Sequence, residues 1–324
     1  MDTDPMKYLR MLPKRRRDSN KGTYGKLLVV AGTEGMCGAA FLASLAAYRT
    51  GAGLVRTMTH KENRVILQSL LPEAIFTGYD DATELSALCY RQVGWADLLV
   101  VGPGLGTGAL SVRCLKTMLA AIEALCEETA WIRKFPCLLL DADGLNILST
   151  HPEEMKRLEK IGTHIPVIMT PHPMEMARLL GSSVDEILQD PAQAAAVWSQ
   201  AHGTITIMKG AETTIRDAEG HAFRNREASP ALSKGGSGDV LSGAVAGLYA
   251  VLRAEWKENA EKASPDAQRR CWRKGAFDSA VLAVLLHAEA GRQAACVHGT
   301  HGVLARETAD ALGSVMEQYL NSCS

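Results

Sequence analysis

Aromatic residues are scarce in this chain of 324, at 5%, and neither sign of charge dominates: 35 Lys and Arg face 36 Asp and Glu, a formal net charge of −1. Without a field of one sign there is no broad surface for nucleic acid or an anionic membrane, so neither is expected as a partner. No run approaches the ~18 uninterrupted apolar residues of a membrane span, and residues 1–20 hold no apolar core of signal-peptide length. A cytoplasmic location is expected. The eight cysteines, Cys37, Cys89, Cys114, Cys126, Cys137, Cys271, Cys296 and Cys323, never fall at CxxC spacing, which excludes zinc-ribbon and dithiol redox sites. They read as buried structural thiols in a reducing compartment. The sequence also lacks a GxxxxGK loop followed by Ser or Thr, a GxSxG elbow and an HExxH pair. Walker-type, serine-hydrolase and zincin chemistries therefore have no carrier. Internal repeats and low-complexity tracts are missing too.

What is present is apolar and rich in glycine. Hydrophobic residues make up 47%, charged residues 22%, and glycines number 29, the balance of a folded enzyme rather than a disordered chain. Short apolar runs at 26–31, 53–58, 98–101, 137–140, 166–169 and 204–208 predict strands. Amphipathic or Ala-rich stretches at 37–50, 110–128, 173–180, 192–201, 239–253, 276–294 and 305–319 predict helices. Strands that are apolar throughout must be covered on both faces, so the expected class is α/β with helices on either side of a mostly parallel sheet. Residues 213–226 predict a hairpin turning at 217–220. The charged stretch 255–274 reads as a linker or insertion. Residues 1–20, with Lys14, Arg15, Arg16 and Arg17, read as a solvated lead-in to one domain over 21–324.

Every polar or glycine-rich cluster follows a strand: 32–38, 102–108, 141–146, 170–175 and 209–213. Ligands of open parallel sheets bind outside the carboxyl ends of the strands, so these five loops are expected to converge. Helix caps and βα turns alone account for any single loop. In VVGPGLGTGA, Gly104, Gly106 and Ala109 satisfy GxGxxA, yet Pro103 stiffens the loop and no acid follows at about 20 residues, which disfavours a dinucleotide fold.

KGGSGDVL at 234–241 carries the most information. Gly235, Gly236 and Gly238, with Ser237 among them, let main-chain N–H groups turn inward at the start of a helix, a pocket suited to phosphate. Asp239 would repel that phosphate unless it has a proton to accept, so it reads as a general base for attack of a hydroxyl on a phosphoryl group. A plain acidic residue complementing the helix dipole is the competing reading. In MKGAETTI, Lys209 ends a strand and Gly210 frees its main chain, so the ammonium and Thr213 can meet nucleotide phosphate or ribose; a surface turn competes. In TPHPMEMARLLG, His172 offers a hydrogen bond and Glu175 a carboxylate for water-mediated Mg²⁺ binding. A cap and turn explain that pair as well. His298 and His301 lack a third ligand and read as loop or core residues.

Taken together, KGTYGKLLVVAGTEGMCGAA, GAGLV, VVGPGLG, LLLDADGLNIL, TPHPMEMARLLG, MKGAETTI and KGGSGDVLSGAVAGL resemble the ADP/ATP-dependent NAD(P)H-hydrate dehydratase family of the ribokinase-like superfamily, in family order from about residue 21 to 291. The resemblance implies a three-layer αβα fold. It implies that ADP or ATP, with Mg²⁺, phosphorylates the ring hydroxyl of (6S)-NAD(P)H hydrate, and that loss of phosphate restores NAD(P)H. It places Ala39, Gly104, Gly106 and His172 against the hydrate and Asp239 at its hydroxyl. Lys209, Gly210, Ala211, Glu212, Thr213 and Gly238 would hold the nucleotide. The family pattern is broken at 225–232, where NREASPAL replaces a Gly/Asn-rich stretch, and 255–274 looks long. A separate epimerase is expected. The Ala-rich helices leave room for a homo-oligomeric interface. Two other readings use the same residues: a small-molecule kinase that releases a stable phosphoester, and a nucleotide-sensing module without catalysis.

Overall fold

The computed structural model describes residues 4–81, 83–227 and 229–322. The chain begins α1 (Pro5–Leu9), β1 (Lys26–Val30), α2 (Cys37–Arg49), β2 (Leu54–His60), α3 (Arg64–Leu70), β3 (Ile75–Tyr79), α4 (Leu85–Trp95) and β4 (Leu98–Val101). It continues α5 (Ala109–Cys126), α6 (Thr129–Ile132), β5 (Cys137–Leu140), α7 (Asp143–Ser149), α8 (Pro152–His164), β6 (Val167–Met169), α9 (Pro173–Leu180), α10 (Val184–Gln189) and α11 (Pro191–His202). It ends β7 (Ile205–Met208), β8 (Thr213–Arg216), β9 (Ala222–Asn225), α12 (Ser237–Glu261), α13 (Pro265–His298) and α14 (Ala305–Ser322).

The nine strands form one sheet in the order β3-β2-β1-β4-β5-β6-β7-β8-β9. From β3 to β7 all neighbours are parallel, and the β8–β9 hairpin adds an antiparallel edge. The chain first builds outward from β1 to β3, then returns to lay β4 on the other side of β1. Such a reversal is the point at which open α/β sheets bind ligands, outside the carboxyl ends of the strands. The central strands β1, β4, β5 and β7 are almost wholly buried, because one helical group (α2, α12, α13, α14) and another (α4, α5, α8, with α7 and α9 beyond) cover the two faces. Helices α2 and α12 approach unusually closely. A Cβ on Gly243 would lie 2.1 Å from the Ala43 carbonyl oxygen, so glycine sets how near α12 comes to α2.

Several expectations change. Residues 255–274 are mostly helical rather than a loose linker: α12 runs into them as far as Glu261, the chain turns at 262–264, α13 starts at Pro265, and Ala260 and Trp272 are buried. Strand β3 and helices α1, α3, α4, α6, α7, α8 and α10 go beyond the expected elements; β3 (IFTGY) is an edge strand, only partly buried. The first residues are not wholly a solvated lead-in either. Tyr8, Leu9 and Leu12 are buried, and the Tyr8 ring meets Phe223 of β9 edge-on at 5.2 Å, although Lys14 to Arg17 are exposed. Cys296 is exposed and Cys271 half-buried, so not all thiols are core residues; the seven described cysteines are free, and Cys323 lies outside the described residues. Helix α13 contains a segment apolar and long enough by composition to cross a membrane, but most of it is buried in the fold against α12 and α14.

Candidate active site

The loops after β1 and β4 meet at the topological reversal. Gly32 N–H donates to the Pro103 carbonyl at 2.9 Å and Thr33 N–H to the Gly104 carbonyl at 2.7 Å. Behind them, Thr59 and Asn63 hold the Gly32 and Thr33 carbonyls. Gly104 has φ +56°, and a Cβ there would lie 2.6 Å from the Ala39 methyl, so this crevice is floored by main chain and by Ala39. Gly106 N–H donates to Asp143 Oδ2 at 2.8 Å, which ties the β4 loop to the loop after β5.

At the end of β5, Asp141 is fully buried. Its Oδ1 accepts from Lys209 Nζ at 2.7 Å and from Ala142 N–H at 2.8 Å, and its Oδ2 accepts from Ser242 Oγ of α12 at 2.7 Å. Ala142 takes φ 49°, a left-handed conformation that costs a residue with a Cβ roughly 1–2 kcal/mol and is retained here beside charged groups. Burial alone would raise the Asp141 pKa, but the Lys209 ammonium and its hydrogen bond outweigh it and hold the carboxyl below its ordinary value. Burial likewise disfavours the Lys209 ammonium, and Asp141 with Glu175 reverses that, keeping it charged.

His172 and Glu175 close a reciprocal cap on α9. Glu175 N–H donates to His172 Nδ1 at 3.2 Å and His172 N–H to Glu175 Oε2 at 2.7 Å. With Nδ1 accepting, the neutral ring carries its proton on Nε2. Burial, and then the Lys209 ammonium, lower the imidazole pKa, so it is neutral at pH 7. The Glu175 carboxylate lies 3.8 Å from Lys209 Nζ, and burial pushes its pKa up despite that cation.

Helix α12 starts at Ser237 after Gly236, whose φ is 89°. Ser237 N–H turns back to the Lys234 carbonyl and Val240 N–H to that of Gly236. Among the described residues, the N–H groups of Gly235, Gly236, Gly238 and Asp239 have no main-chain partner outside the helix, so the first turn presents free donors and the positive end of a 25-residue helix. Asp239 is half-buried and its carboxylate makes no hydrogen bond among the described residues. Its pKa is pushed up to about 7, first by burial, then by the like charges of Asp141 and Asp143, with Lys209 opposing.

Beside this turn lies a cavity of about 640 Å³. Lys209, Gly210, Ala211 and Thr213 line one side, Ser237 and Gly238 another, with His172 at the rim and Leu232, Leu241, Val284 and Ala288 supplying apolar walls. The fold therefore brings the five loops together. Glu212 does not line the cavity but pairs with Arg224 at 3.3 Å. Gly235 and Gly236 also lie outside the lining; a Cβ on Gly236 would strike Leu42 of α2 at 2.5 Å, so Gly236 serves the approach of α2. The unusual segment 225–232 is in the site after all, since Asn225, Glu227, Ser229, Pro230 and Leu232 line the cavity; Ala228 lies outside the described residues. His298 ends α13 with Nδ1 3.6 Å from Glu307, and the His301 carbonyl accepts from Lys234 Nζ at 2.8 Å. Sequence reasoning gave no role to Asp141, Asp143, Ser242 or His287. Asp141 had a visible signal, an acid directly after a wholly apolar strand, and Asp143 lies with it in the 141–146 cluster expected at the site; Ser242 and His287 lie in helices that periodicity marks only as amphipathic or core.

A mostly parallel αβα sheet with a glycine-rich helix start over its carboxyl edge defines a ribokinase-like protein, the class of its solved structural neighbours. The chain belongs to the NAD(P)H-hydrate dehydratase family, whose model matches residues 27–313. It is 32% identical over 250 residues to the ADP-dependent (S)-NAD(P)H-hydrate dehydratase of Lactococcus lactis, covering 77% of this chain and 82% of that protein. It is 31% identical over 312 residues to the bifunctional NAD(P)H-hydrate repair enzyme of Moorella thermoacetica, covering 94% of this chain and 52% of that protein. The chain thus spans about half the length of such bifunctional relatives. Among solved structures, the ADP/ATP-dependent NAD(P)H-hydrate dehydratase of Bacillus subtilis co-crystallised with ATP and Mg²⁺ superposes with a TM-score of 0.71 at 26% identity, covering 97% of both chains.

Proposed function

We propose that this protein is a lyase that uses ADP or ATP to dehydrate (6S)-NAD(P)H hydrate. The observation that carries the reading is Asp239: an unpaired, half-buried carboxyl with a pKa of about 7, one residue beyond the free N–H of Gly238 at the edge of the cavity. A base near neutrality can take a proton from a hydroxyl at cellular pH.

In this reading the nucleotide lies in the cavity with its terminal phosphates over the first turn of α12 and near Lys209. The hydrate enters the crevice formed by Ala39, Gly104 and Gly106, with His172 Nε2–H available to donate to it. Asp239 accepts the proton of the C6 hydroxyl as that oxygen bonds to the terminal phosphorus and the P–O bond to the nucleotide breaks, leaving AMP from ADP or ADP from ATP. The ring nitrogen lone pair then expels phosphate from C6, and loss of a proton from C5 restores the double bond. Positioning and charge neutralisation account for most of what the protein must supply.

The residues present fit Mg²⁺ held through water. Both Asp141 oxygens are occupied by Lys209, Ala142 and Ser242, whereas Glu175 Oε1 accepts no hydrogen bond among the described residues and has the His172 ring at 3.4 Å. Glu175 would hold metal-bound water, and the ion would neutralise phosphate charge. A cytoplasmic setting belongs to this reading; the seven free thiols support it.

The test is incubation of purified protein with the hydrate and Mg²⁺, with ADP, ATP or no nucleotide. Nucleotide-dependent return of dihydronicotinamide absorbance, with one phosphate released per turnover, is expected. Accumulation of a stable phosphoester would make the protein a kinase instead.

A further inference from the structure

Helix α13 carries one polar side chain into the cavity. His287 is 6% exposed, stands in a run that is otherwise apolar (Val284, Leu285, Leu286, Ala288), and lines the cavity. Its Nε2 lies 3.3 Å from Ser237 Oγ, and Ser237 is the first residue of α12, directly before the free N–H groups of Gly238 and Asp239. The main chain of Ser237 also hydrogen-bonds the imidazole, so the contacts that hold the ring converge on this one residue. Burying an imidazole in an apolar helix face costs free energy unless both its nitrogens are used. Here the ring holds Ser237 at the start of the anion cradle and at the same time forms part of the wall of the cavity.

We infer that His287 is a positioning residue with two ends: Nε2 fixes Ser237, and so the aim of the first turn of α12, while Nδ1 hydrogen-bonds the nucleotide that fills the cavity. This rests on the proposed nucleotide-dependent reaction. Burial pushes the imidazole pKa down to about 4, so the ring is neutral and has one donor and one acceptor to divide between the two sides. Occupancy of the cavity is thereby felt at Ser237, directly before the Gly238 and Asp239 N–H groups that receive phosphate.

The experiment compares His287→Leu, His287→Gln, His287→Asn and Ser237→Ala with the wild type, by calorimetric titration with ADP and ATP and by steady-state turnover of the hydrate. On a helix, Gln places a polar group near the Nε2 position and Asn near that of Nδ1. We expect His287→Leu to weaken nucleotide binding and raise its KM about tenfold while kcat falls less than threefold. Gln and Asn should each restore part of the loss, and Ser237→Ala should add little to His287→Leu. If His287→Leu folds and binds nucleotide as the wild type does, or if kcat and melting temperature fall together and neither Gln nor Asn recovers KM, the inference is wrong. Should His287→Leu fail to fold, Ser237→Ala decides, and an unchanged nucleotide KM there overturns it. A wild type that binds no nucleotide, or does not turn over the hydrate, would instead remove the proposed function.

Discussion

The Lys209 ammonium sits 2.7 Å from the carboxylate of Asp141, a side chain with no solvent exposure. The two come from the ends of β7 and β5, 68 positions apart in sequence. The pair keeps the Lys209 ammonium charged in the cavity wall, while the neighbouring Asp239 carboxylate has no hydrogen-bond partner among the described residues.

Removing that cation should cost stability as well as activity. Lys209→Met leaves a buried carboxylate uncompensated, and a loss of about 3–5 kcal/mol is expected. The double variant with Asp141→Asn should recover most of it. Urea denaturation measures both, and a single variant with an unaltered midpoint would show that the pair contributes nothing.

Asp239→Asn should reduce kcat by at least about 100-fold, the lower range for a general base. Nucleotide affinity should change little or improve, because a charge near the phosphates is gone. Turnover close to wild type in this variant would exclude Asp239 as the base.

The pH dependence follows from the pKa of about 7 at Asp239. The base works deprotonated, so log kcat/KM should climb with unit slope below that value and level off above it. The stability linkage has the opposite sense. A carboxyl whose pKa is raised on folding binds a proton more tightly in the native state, so its contribution to stability falls as pH rises from about 4 to 7. Asp239→Asn should therefore melt higher than the wild type at pH 8, and the difference should vanish towards pH 4. Equal melting temperatures at both pH values would contradict the raised pKa.

Gly104→Ala should test the crevice. The substitution places a methyl 2.6 Å from that of Ala39 and holds alanine at φ +56°, a conformation costing about 1–2 kcal/mol. The hydrate KM should rise about tenfold or more with nucleotide binding retained. Unchanged KM in a folded variant would place the hydrate elsewhere.

Much of the fold was legible because its signals are local. The buried strands β1, β4, β5 and β7 are continuous apolar runs, and the β8–β9 hairpin announces its turn with Asp217 and Gly220. Edge strand β3 escaped because only half of it is buried, and IFTGY shows neither alternation nor a continuous run. The stretch 255–274 misled for a related reason: its charges face water, whereas Ala260 and Trp272, which anchor the extended helices, are too sparse to mark a period.

By itself the sequence determined which groups can do chemistry: glycines before a helix, one acid after them, a lysine ending a strand, and the order of the strands that carry them. These follow from steric freedom and apolar patterning, which act over a few residues. Only the tertiary structure decided which of those groups are paired and which are free. Asp141 and Asp239 are the same residue type, yet one is neutralised by Lys209 and Ser242 and the other is left near neutrality by burial and like charge. That difference arises from distances between segments far apart along the chain. The same holds for His287, an unremarked histidine in an apolar helix until α12 brings Ser237 against it.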